Sequence, residues 1–174
     1  MQGKFLYAFG GALVVPMLIS ACAGRQAPPE TTSTELGNPT QQQSLNCRID
    51  GLVQQDLARL RDAGMPIKVA VSRVNTQYQG LVSTMDERAA VDLALAHRDA
   101  AAQFVYAHKN LQPATVRYVG NSACLMAPAG TYPAPKLGPL AKAAEACQQA
   151  NVQNDDEASL KTCINTQAVQ LQGP

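Results

Sequence analysis

Five cysteines punctuate this chain, and their positions limit what it can fold into more than any other feature. Cys22 closes an apolar N-terminal segment, whereas Cys47, Cys124, Cys147 and Cys163 stand far apart in the remainder. Four cysteines in an exported chain read as two disulfides. Three pairings exist. The favoured one joins Cys47 to Cys124 and Cys147 to Cys163, because each bridge then closes one recognisable unit of the chain. Zinc is the competing use of such thiols. No C-x-x-C and no paired histidines accompany them, so no metal is expected.

Export is read from the first 22 residues. Lys4 supplies one positive charge, and no charged residue follows from Phe5 to Ile19. That pattern matches the basic and apolar regions of a secretory signal. The apolar run is 15 residues long, short of the ~20 that a spanning helix requires. It ends at Ile19-Ser20-Ala21-Cys22, a branched apolar residue, two small residues and a cysteine, which resembles the lipobox of bacterial lipoprotein precursors. The resemblance implies a signal peptide over residues 1–21, cleavage before Cys22, and acylation of the Cys22 thiol and usually of the new amino group. A thiolate is the one good nucleophile here for forming the thioether. Two or more acyl chains anchor stably where one would be marginal. Ala23 rather than Asp follows the cysteine, which in enterobacterial members of that family implies delivery to the outer membrane, here expected on its periplasmic side.

Cleavage would remove Lys4 alone among charged residues, so Lys+Arg would fall from 14 to 13 and match Asp+Glu at 13. No basic excess then argues for nucleic acid or anionic lipid as a partner. There is no Trp, and few aromatic rings remain on which bases or sugars could stack. Residues 22–43 are the lipidated cysteine and a segment of Pro, Thr, Ser, Gln and Gly that cannot bury enough surface to fold. As a flexible tether it would reach about 25 Å, or up to ~65 Å when drawn into polyproline II.

The expected fold is all-α: a bundle of about four helices over residues 44–130, a Pro-rich linker at 131–139, and a C-terminal αα-hairpin over 140–174. Leu45, Ile49, Leu52, Val53, Leu57 and Leu60 recur at helical period, with Gly64 and Pro66 ending the run. Cys47 lies off that stripe, so a disulfide there requires a helix covered on more than one side. Residues 67–78 fit a helix but also alternate like a strand; they are read as helix. Thr84-Met85-Asp86-Glu87 forms a capping box opening a helix to about Lys109. Gln112-Pro113 starts another, which carries Val116, Val119, Ala123, Cys124 and Met126 and stops by Gly130. In the hairpin, Asn154 is the expected N-cap of the last helix. Its stripe of Leu160, Ile164, Ala168 and Leu171 either docks on the bundle or forms a partner-binding surface.

No catalytic residue is assigned. His97 and His108 are read onto one helix about three turns, ~16 Å, apart, too far to share a metal or proton. Asp92 and Asp99 fall off the face of His97. There is no phosphate loop, G-x-S-x-G elbow or H-E-x-x-H. The expected function is therefore a non-enzymatic, membrane-anchored lipoprotein that binds an envelope protein as an assembly or accessory factor, with no cofactor besides the covalent lipid on Cys22. In overall plan it resembles the pilotins that escort secretins to the outer membrane, although no motif carries that likeness. A periplasmic ligand-binding or inhibitor lipoprotein is the alternative, and an enzyme with an unrecognised site is the third.

Overall fold

The computed structural model describes residues 39–80, 84–151 and 156–173. Residues 19–22, read as a lipobox, the segment up to residue 38, read as a tether, and Asn154 lie outside them. The described residues form seven α-helices and no strand: α1 (Gln41–Asp62), α2 (Ile67–Gln79), α3 (Met85–Ala96), α4 (Arg98–Ala107), α5 (Pro113–Met126), α6 (Ala134–Asn151) and α7 (Glu157–Gln172). The doubtful segment at 67–78 is thus helical.

Helix α1 organises the rest, packing on α5 above all and also on α3, α4 and α2. The last residues of the predicted tether, Gln41 to Gln43, already belong to it; the Thr40 hydroxyl accepts from Gln43 N at 3.1 Å and caps the helix. Its far end closes at Gly64, whose φ of 76° lets Gly64 N reach Arg61 O and Met65 N reach Leu60 O. Because neighbours cover it on several sides, Cys47 is fully buried and bonded to Cys124 of α5, with Cα atoms 5.3 Å apart.

Two glycines set how closely α1 and α5 approach. A Cβ on Gly51 would stand 2.7 Å from the Arg117 carbonyl, and one on Gly120 2.6 Å from the Gln54 amide nitrogen. At the other end of α1, the buried Arg61 donates to the carbonyls of Val105 at 2.9 Å, His108 at 2.9 Å and Leu111 at 2.7 Å, and pairs with Asp62 at 2.7 Å. One guanidinium thereby serves the carbonyls around the end of α4, which have no partner within that helix.

The predicted long helix from Thr84 to about Lys109 is two. Thr84 caps it as expected, its hydroxyl accepting from Glu87 N. At His97, however, the N–H is shared between the carbonyls of Leu93 and Ala94, and α4 starts anew. No Gly or Pro marks this tightened turn, so helical periodicity runs through it without interruption.

The Pro-rich stretch is not a linker over its whole length. Helix α6 starts at Ala134, and the Pro133 carbonyl accepts from Lys136 N and Leu137 N. Pro135 falls in the first turn, where a missing N–H costs nothing. Pro139 sits inside the helix and gives up one backbone bond. Burial of Leu137 and Leu140 on either side offsets that loss.

Helices α6 and α7 pack together and against α5. Cys147 and Cys163 bridge them, with Cα atoms 5.8 Å apart. Asp156, not Asn154, caps α7, accepting from Ala158 N at 3.0 Å. Of the two outcomes open to the α7 stripe, docking on the bundle holds: Leu160, Ile164 and Ala168 are buried in the common core, and Leu171 alone stays 39% exposed. Two helices cannot hide such a stripe between themselves, and α5 supplies the missing cover. Polar contacts fix the seat. Gln148 accepts from Gln112 N at 2.7 Å and donates to Asn110 O at 3.0 Å, while Ser122 Oγ donates to Asn165 at 2.7 Å.

Candidate functional site: a buried polar pocket beside Asp50

The buried face of α1 is not wholly apolar. Asp50, Val53, Gln54, Leu57, Ala58 and Arg61 stand at i, i+3, i+4, i+7, i+8 and i+11 on one face, and all are buried. Asp50 is 5% exposed and Gln54 0%. Gln54 Nε2 donates to Asp50 Oδ2 at 2.7 Å, and Gly120 across the interface leaves room for the Gln54 amide. Asp50 Oδ1, Gln54 Oε1, Thr115 Oγ1 and the Tyr132 hydroxyl are buried with no hydrogen-bond partner among the described residues. Such atoms are rare in native interiors, and each costs free energy to hold there.

Burial dominates the ionisation of this cluster. Removal from water pushes the Asp50 carboxyl up to about 7, against a smaller opposing effect of the Gln54 hydrogen bond. The Tyr132 hydroxyl is raised by its own burial and then by the negative charge of Asp50, so it stays protonated. His97, whose ring centroid lies 5.4 Å from that of Tyr132, is lowered by burial towards the neutral form. A cavity of about 20 Å³ opens among Asp50, His97, Cys47, Ala94, Cys124 and Pro133. That is space for about one water molecule and for no organic substrate. The cluster can therefore take up or release a proton near neutral pH, but it has no room to transform a ligand.

The other sequence-assigned residues scatter. His108 lies away from His97, against Phe104 at 4.5 Å between ring centroids, with its Nδ1 2.9 Å from the Phe104 carbonyl. Asp92 and Asp99 are exposed. No group of three His, Cys, Asp or Glu side chains that could hold a metal ion is present among the described residues. No described helix is long and apolar enough to cross a membrane.

Asp50 was not singled out by sequence reasoning, although a signal existed. The predicted stripe on α1 counted apolar residues only, and so drew the buried face through Ile49, Leu52 and Leu60, which are only half-buried. Counting positions rather than polarity would have placed Asp50, Gln54 and Arg61 on the face with Val53 and Leu57. Compared with known proteins, the chain matches no family model, no curated protein and no solved structure.

Proposed function

We propose that this chain is a lipid-anchored, extracytoplasmic helical domain that works by binding another envelope protein rather than by catalysis. The observation that carries this reading is the partition of the cysteines. Four are bonded in two bridges within the helical unit, which leaves Cys22 as the one cysteine for acylation. Two disulfides also suit an oxidising compartment outside the cytoplasm. In this reading α1–α5 are the folded body, the α6–α7 hairpin braces it, and the segment before Thr40 is the tether to an outer-membrane anchor facing the periplasm.

Partner contact is assigned to the apolar side chains that the fold leaves in water. Met85 is 90% exposed, Val69 52% and Leu171 39%. Single exposed apolar residues are ordinary on protein surfaces, so the test is direct. A photoreactive side chain placed in turn at Met85, Val69 and Leu171 is expected to trap one discrete adduct in cells from at least one position. Labelling no stronger than from a control probe at Ala27 in the tether, at all three positions, would count against partner binding. Ile164, being buried, is not a usable probe position.

A further inference from the structure

The overall charge balance conceals a local excess of cations. A groove of about 220 Å³ is formed by residues of α1, α5 and α7, with Ser44, Arg48, Arg117 and Lys161 at its polar side and Tyr118 and Leu125 as apolar wall. No carboxylate lines it. The neighbouring Glu157 accepts from Arg117 Nη1 at 3.2 Å and from the Tyr118 hydroxyl at 2.6 Å, so it answers one of the three cations. Arg48 and Lys161 are exposed and have no ion-pair partner among the described residues. Arg117 is held in place by Glu157 and by the Tyr118 ring, whose centroid is 5.4 Å from its guanidinium carbon.

Two of the three cations, Arg48 and Lys161, have no carboxylate among the described residues to answer them, and they repel each other until an anion enters. Guanidinium forks match the oxygens of a phosphate, and an ammonium adds a point charge. The apolar wall can lie along whatever carries that phosphate. Ser44 and Arg48 belong to the first two turns of α1, directly after the segment read as tether. We propose that this groove binds a phosphate group, supplied by the anionic phospholipid headgroups of the membrane to which the chain is attached. The choice of headgroup as source rests on the lipid-anchor reading; the anion site does not.

The test follows the chemical reactivity of the Lys161 amine by mass spectrometry, with Lys68 on α2 as internal reference. The full chain is compared in phosphatidylcholine vesicles and in vesicles containing an equal part of phosphatidylglycerol. In parallel it is held in neutral detergent with and without inorganic phosphate. Selective protection of Lys161 in the anionic vesicles, reversed by salt, is the expected result. Arg48→Gln should weaken that protection about fivefold, the worth of one cation near an anionic surface, with an unchanged melting curve. Protection by inorganic phosphate but not by anionic vesicles would overturn the headgroup as the source. Protection in neither would overturn the site itself. Flotation with the phosphatidylcholine vesicles reports the anchor separately, so a failed anchor and a failed groove are told apart.

Discussion

Asp50→Asn is expected to make the protein more stable at pH 8 and to flatten its stability profile between pH 4 and pH 7. In the folded chain the Asp50 carboxyl titrates at about 7, against 3.8 for an ordinary aspartate. Below the lower value both folded and unfolded chains hold the proton, and the group has no net effect. Between the two values the folded chain alone holds it, so stability falls as pH rises, by 1.36 kcal/mol per pH unit. Above about 7 the loss is complete, on the order of 4 kcal/mol. Asparagine keeps the shape, carries no charge, and retains an oxygen able to accept from Gln54. Thermal melts of parent and variant at pH 5 and pH 8 provide the check. The variant should melt roughly 10 °C higher at pH 8 and differ much less at pH 5. A variant less stable than the parent at pH 8 would mean that the ionised carboxylate has a favourable partner.

The second large effect is expected from Cys47→Ala combined with Cys124→Ala. The bridge spans a sequence separation of 77, and closing a loop of that length constrains the unfolded chain by roughly 4.5 kcal/mol. The same change at Cys147 and Cys163, whose separation is 16, should cost about 3 kcal/mol. The larger loop also ties the start of α1 to the end of α5, the helix against which α1 packs most. Denaturant unfolding of both double variants measures the two losses. A smaller loss from the long loop than from the short one would show that native packing, rather than chain entropy, sets the order.

Much of this architecture was legible because strong local signals agreed with tertiary need. The Thr84 cap, Pro113 in the first turn of α5 and the stop at Gly64 are local chemistry and stand where the residues place them. The disulfide pairing was legible too, since each bridge closes one structural unit. Three features escaped. The break at His97 has no Gly or Pro to mark it. The start of α6 lay hidden among prolines, which suit a first turn as well as a linker, and only Leu137 and Leu140 told in favour of helix. Asp50, Gln54 and Arg61 were hidden by their own polarity, since a search for an apolar face passes over buried polar residues. The stripe on α7 was read correctly as apolar; which surface covers it depends on α5, and that is a long-range fact.

In the proposed lipoprotein one cysteine, Cys22, holds lipid while four hold the fold. Intact-mass spectrometry of the protein from cells, before and after reduction and alkylation, tests it most directly. The expected result is a chain beginning at Cys22 with the added mass of acyl groups, and four thiols that take up alkylating agent only after reduction. A chain that begins elsewhere, carries no acyl mass, or holds Cys22 in a disulfide would contradict it.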